Sequence, residues 1–344
     1  MPKIVAIGGS AGSVNALKVI LAGLPKDFPA AVVAVTHIGS RASVLPSLLE
    51  RCSALPVRHA RQGEPLLAGQ VLIAPADLHL TVARNGDRAF AQLSRAAKEN
   101  HARPAIDPLF RSVAASYGAD AVAVVLSGFL DDGTVGLQAI KARGGIAVVQ
   151  DPDEAEAPDM PASALEHSAV DFVRRVEEIA PTLVELVGRA TTGGEAAAGH
   201  AKAELRDWVA VENQLFNELA DMAELDQIGS RVPLTCPECG GSIWEVRETG
   251  PLRYRCHTGH AFTARVLAAL QGGEIEEAIW AAVRALHEQE QLFRRLYLKS
   301  PALQQGALEK NDPRNEYLIK AEQAMEQAQL LRDLIAARVG LAPD

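Results

Sequence analysis

The sequence predicts an α/β fold: a doubly wound, mostly parallel sheet with helices on both faces, followed by a small zinc-ribbon-like module and an α-helical hairpin. Three observations carry this. The first ~190 residues alternate short β-branched runs with amphipathic stretches. Those runs are apolar throughout rather than alternating, as in strands covered on both faces. Beyond a Gly- and Ala-rich linker, three of the four cysteines fall within a short segment that is followed by two long helical patterns.

Taken in order, candidate strands lie at 3–8, 31–37, 70–74, 121–127 and 145–149. Candidate helices lie between them at 14–23, 43–52, 108–117 and 136–142. This alternation is the signature of an open parallel sheet. The segment RATTGGEAAAGHA marks a linker, placed at 191–203, that separates a domain at 1–190 from a region at 204–344. An amphipathic helix is predicted over 203–225, the Cys-containing module over 232–265 and the helical hairpin over 273–340. The hairpin stripes comprise Ile275, Ala278, Ile279, Ala282, Val283 and Leu286 on one helix. On the other they comprise Leu318, Met325, Leu330, Leu331 and Leu334. Such stripes are expected to form the hairpin core, with a partner or dimer contact as the other use.

Composition narrows the function. The chain has 344 residues, 48% hydrophobic and 22% charged, which is globular composition. No run approaches the ~18 consecutive apolar residues of a spanning helix, and MPKIVAIGGS reads as a first strand rather than a signal peptide. A cytoplasmic protein without membrane insertion is predicted. Net charge is −9, most of it after residue 192, which argues against nucleic acid as a partner.

Three residues stand where an open α/β sheet collects functional groups. Ser10 lies in IGGSAGS, between a strand and a helix start. Small neighbours (Gly8, Gly9, Ala11, Gly12) permit close approach, and helix N-terminal N–H groups there can receive an oxyanion. A dinucleotide fingerprint fails, because its second and third glycines fall on Ser10 and Ser13. His37 ends the second strand, and Asp131 and Asp132 follow another in VVLSGFLDDGTVG. Singly, each has an ordinary structural reading: an N-cap, a strand-end histidine, an Asx turn. Together they offer nucleophile, base and orienting carboxylate along one edge.

In this order IGGSAGS, VAVTHIG, VLIAPADLHL, RPAIDPLFRSVA, VVLSGFLDDGTVGL and DMPASALEHSAVDFV make residues 2–185 resemble the catalytic domain of the bacterial chemotaxis protein-glutamate methylesterases. The resemblance implies a Ser–His–Asp triad of Ser10, His37 and Asp132, with Asp131 in a variable position. It implies hydrolysis of glutamyl methyl esters on a chemoreceptor-type protein, with glutamine deamidation as a companion activity and no cofactor for catalysis. The oxyanion and substrate loop would be Gly9, Ala11, Gly12 and Phe129. Two loops depart from the family pattern. Ser10-Ala11-Gly12-Ser13 replaces Ser-Thr-Gly-Gly. In Gly128-Phe129-Leu130-Asp131-Asp132-Gly133, Leu130 takes the place of a glycine, where left-handed backbone or room for substrate is expected. Typical members carry a receiver domain first; here the catalytic domain is expected to start at residue 2. A non-catalytic docking protein, or an esterase for another substrate, is the competing expectation.

The segment TCPECGGSIWEVRETGPLRYRCHTGHAF spaces Cys236, Cys239, Cys256 and His260 as a structural Zn2+ site. His257 competes with His260, but adjacency to Cys256 makes it sterically awkward. Arg247, Arg253 and Arg255 are expected on a solvated strand face. Asp107 is expected to N-cap its own helix, His79 to be structural, Met160-Pro161 to shape a loop, and Cys52 to be a buried thiol at a helix end.

Overall fold

The computed structural model describes residues 3–37, 43–188, 208–217, 222–246, 250–299 and 315–338. Its centre is a seven-stranded parallel sheet in the order β3-β4-β2-β1-β7-β8-β9. The strands are β1 (Ile4–Gly9), β2 (Ala31–Thr36), β3 (Val57–His59), β4 (Val71–Ile73), β7 (Ala121–Val125), β8 (Ile146–Gln150) and β9 (Phe172–Arg174). An antiparallel hairpin, β5 (His79–Asn85) with β6 (Arg88–Ser94), is inserted after β4.

The pleat divides each strand between two cores. Ile4 and Ala6 face a core with α3 (Ile106–Tyr117), α4 (Thr134–Ala142), α5 (Asp159–His167) and the β5–β6 hairpin. Val5 and Ile7 face the opposite core with α1 (Ser13–Gly23), α2 (Leu45–Glu50) and α6 (Val176–Gly188). Both faces are covered, so β1, β2 and β7 are buried at every position. This is the architecture expected from their unbroken apolar runs. Strands β3 and β9 escape sequence reading because three residues cannot establish a period.

From β1 the chain builds outward on one side through β2 and returns to add β7 on the other. The direction of winding thus reverses at β1/β7, the place where open α/β sheets form a crevice beyond their carboxyl ends.

The predicted linker at 191–203 lies outside the described residues. The helix expected over 203–225 is described as α7 (Trp208–Asn217) and α8 (Met222–Ile228). After it comes a four-stranded antiparallel ribbon: β10 (Gly229–Thr235), β11 (Ser242–Val246), β12 (Arg253–Cys256) and β13 (Ala261–Thr263). Trp244 closes a small core with Leu215 and Leu225, and its indole N–H donates to Asp226 at 2.7 Å. Residues 1–267 form one compact unit that includes the ribbon.

Residues 268–344 form a second unit. Its helices are most of α9 (Ala264–Leu298) and α10 (Asn315–Arg338). Phe293 meets Tyr317, and His287 meets Arg332, so the two run in opposite directions. The seam differs from the predicted stripes. Val283, Ala321, Ala324, Ala328 and Ile335 are buried, whereas Ile275, Met325, Leu330 and Leu334 are exposed. Alanines let the helices approach closely, which turns the larger side chains outward.

Candidate active site

Ser10 sits immediately beyond β1. Its N–H donates to the Ser127 carbonyl at 2.9 Å, and its own carbonyl receives the Ser13 hydroxyl at 2.6 Å. Gly12, at φ 76, makes the left-handed turn that starts α1. The Ala11 and Gly12 N–H groups therefore stand at a helix N-terminus, where backbone donors point outward. A Cβ on Gly128 would come within 2.9 Å of Ser10 Cβ and 2.1 Å of Met160 Sδ. Only glycine allows the loop after β7 to lie this close to Ser10. Met160-Pro161 is part of α5 rather than a loop, and the Met160 N–H donates to the Gly128 carbonyl.

The next residues of that loop carry the family departures. Phe129 is exposed, and Leu130 has φ 63. Leu130, which stands where the family pattern has glycine, thus adopts the left-handed backbone in this chain.

His37 directly follows β2, and its Nε2–H donates to Asp132 Oδ2 at 2.8 Å. Asp132 is buried and also accepts from the N–H groups of Ile106 (2.7 Å), Gly133 (3.0 Å) and Asp107 (3.2 Å) and from Asn100 Nδ2 (3.0 Å). Burial pushes its carboxyl up, but the His37 contact and these donors outweigh that and hold it below the ordinary 3.8. Asp107 behaves oppositely. Burial first, and then the Asp132 charge, raise it well above the ordinary range. It does not cap its own helix: its Oδ1 accepts the N–H groups of Gly133 and Gly136, at the start of α4. A cleft of about 370 Å3 opens beside His37, lined by Asp77, Lys98, Asn100, His101 and Arg103.

Residues 5–183 match the CheB methylesterase family, which is half of the chain. The chain belongs to the CheB methylesterase family. A solved structure of the Thermotoga maritima CheB methylesterase catalytic domain is 35% identical with a TM-score of 0.53. It matches 54% of this chain and 99% of that one. An Anaeromyxobacter dehalogenans relative, named protein-glutamate methylesterase/protein-glutamine glutaminase 2, is 42% identical over 185 residues. A Pseudomonas fluorescens relative of the same description is 39% identical over 187. The chain spans about half the length of these two, 53% and 55%. A shorter Leptospira interrogans relative is 39% identical over 183 residues and covered over 93% of its length.

The ribbon lies outside the part that matches the CheB methylesterase family. Cys236, Cys239, Cys256 and His260 gather there with all four ligand atoms within 4.8 Å of one another. Cys239 and Cys256 sulfurs are 3.9 Å apart, and His260 Nδ1 is 3.5 Å from Cys256 Sγ. These spacings suit tetrahedral coordination with Zn–S of ~2.3 Å. The sulfurs already accept backbone N–H groups, Glu238 and Cys239 donating to Cys236 and Gly241 to Cys239. Contact with Cys256 pushes the Cys236 thiol up while Cys256 is held down to about 3. The donor set of three sulfurs and one imidazole nitrogen fits a divalent thiophilic ion.

The ribbon arginines correct a sequence expectation. Arg255 is 1% exposed and Arg253 8%, so neither is on a solvated face. Arg255 bridges Glu99 (3.1 Å) and Glu212 (2.6 Å), and Arg111 grips Glu99 through both guanidinium nitrogens at 2.7 and 2.8 Å. Burial opposes both charges, but the arginines hold Glu99 below its ordinary value and Glu212 down to about 2. Nearby Glu238, Glu245 and Glu248 made these arginines read as solvated; Arg247 lies outside the described residues. Lys98 and His101 both pair with Glu238 of the knuckle. His79 is structural, buried between the Ala97 carbonyl and the Ala105 N–H with its ring edge-on to Phe216. Cys52 is only half-buried.

Proposed function

We infer that this chain is a protein-glutamate methylesterase, a carboxylic ester hydrolase, acting on methylated glutamates of a chemoreceptor-type protein. The observation that carries it is the His37–Asp132 hydrogen bond in a chain of this family, with Ser10 and His37 each following the last paired residues of neighbouring strands, Gly9 and Thr36. His37 Nε2 is engaged by Asp132, which leaves Nδ1 to take the Ser10 hydroxyl proton. Ser10 Oγ attacks the γ-carbonyl carbon. The oxyanion is received by N–H groups near Ala11–Gly12 and Phe129. Methanol departs with the proton from His37, and water, deprotonated by His37, frees the glutamate. Asp132 stays ionised throughout and stabilises the imidazolium. The second activity in the relatives' names, glutamine hydrolysis, would follow the same path with ammonia as the leaving group.

Cys236, Cys239, Cys256 and His260 would hold a structural Zn2+. Four protein ligands leave no open position, so the ion would support the ribbon rather than the hydrolysis. A docking role for the helical unit, as an addition to catalysis, is favoured by the exposed Ile275, Trp280, Leu292, Leu330 and Leu334.

The test is methanol release from a methylated receptor cytoplasmic domain. Turnover by the wild type and its loss in Ser10→Ala are expected. No turnover by folded wild type would overturn the reading.

A further inference from the structure

The ribbon does more than follow the catalytic domain in sequence. Its last strand, β13, is bonded to the loop and the turn that hold the catalytic acid. The Asn100 N–H donates to the Ala261 carbonyl at 2.8 Å, and the Thr263 N–H donates to Asn100 Oδ1 at 3.1 Å. That second bond fixes the sense of the Asn100 amide. With its oxygen committed to a backbone donor, its Nδ2 faces two carboxylates, Asp132 Oδ1 and Asp107 Oδ2, each at 3.0 Å. A reversed amide would set an acceptor against the Asp132 charge. The Thr263 hydroxyl makes a second link, donating to Asp131 Oδ1 at 2.7 Å, while its oxygen accepts the Val266 N–H that starts α9. Asp131 is fully buried, and Thr263 is 1% exposed. Asp131 and Asp132 are consecutive, so one ribbon residue reaches both sides of the turn, once directly and once through Asn100. The buried Glu99–Arg255 pair fixes the strand next to β13 to the residue before Asn100.

We propose that the ribbon is a working part of the esterase site: Thr263 and Asn100 are positioning residues that lock the Asp131–Asp132 turn and aim Asp132 at His37. This rests on the triad reading above. Asn100 also lines the cleft beside His37, but the role proposed for both residues runs through Asp132.

The experiment compares full-length wild type with Asn100→Ala, Thr263→Val and Thr263→Ser. Thr263→Val keeps the strand and its N–H but loses the hydroxyl; Thr263→Ser restores it. Two readouts are taken: kcat and KM for methanol release, and the downfield proton resonance of the His37 Nε2–H, assigned by its absence in His37→Gln. Removing a hydrogen bond to an ionised group predicts a kcat loss of roughly 10- to 100-fold in Asn100→Ala. KM should stay within about twofold. Thr263→Val should lose kcat in the same direction, Thr263→Ser should recover it, and the resonance should move upfield in the first two variants only. Wild-type kcat and an unmoved resonance in Asn100→Ala and Thr263→Val would overturn the proposal. So would a Thr263→Ser as impaired as Thr263→Val. If wild type releases no methanol, the methylesterase reading fails, and the resonance alone decides whether the ribbon positions Asp132.

Discussion

Asp132 and Asp107 lie side by side in the interior, yet they are driven apart, Asp132 held below the ordinary carboxylate range and Asp107 pushed well above it by burial and by the Asp132 charge. The donors converging on Asp132 decide which is which. Asp132→Asn should therefore reduce kcat by ~10^4-fold with little change in fold, because the imidazole loses its orienting charge; kcat at saturating receptor checks it. His79 gives a prediction in pH. Burial holds it down to about 4 against an ordinary 6.5, so the unfolded chain binds the extra proton. Its contribution is complete above pH 6.5 and is lost as pH falls through 6.5 to 4, by roughly 3 kcal/mol in total. Urea unfolding across that range should show the decline, and His79→Gln should flatten it. Asp132 contributes in a lower window, below its unfolded 3.8, so the two are separable. Ser10, His37 and Asp132 are legible as candidates because each follows a recognisable strand, Ser10 and His37 directly and Asp132 after a short loop. Asn100 is not, since KENHARP has no period and its partners are distant in the chain.

At the scale of elements, the ribbon's attachment is ionic and buried. Arg255 lies between Glu99 and Glu212 with almost no exposure, so removing it takes one cation from each, leaving Glu99 with Arg111 and Glu212 with Arg253 at 3.4 Å. Arg255→Met should lower unfolding stability by roughly 2–3 kcal/mol. The ligand set predicts about one equivalent of zinc per chain by metal analysis, lost in Cys256→Ser, with faster proteolysis within 229–263. A metal-free wild type with a stable ribbon would contradict this. His260 is the histidine that lies with the three cysteines, and cysteine spacing made the cluster legible. The docking face of the ribbon was not, because a short alternating strand shows that one side is buried without showing which.

Across the whole molecule, sequence legibility follows length and burial. The long central strands announce the parallel sheet, while β3, β9 and the β5–β6 hairpin do not. The helical unit was readable as two helices, but its seam is built from alanines, which pattern reading undervalues against leucine and methionine. Among the described residues no helix is long and apolar enough to cross a membrane. On the proposed mechanism, strand ends, acid turn and ribbon would all serve one hydroxyl, that of Ser10. Mass spectrometry after exposure to a fluorophosphonate tests this most directly. A single adduct is expected on the peptide carrying Ser10, formed by wild type and absent in His37→Gln. A folded wild type that takes no label, or takes it at another serine, would contradict it.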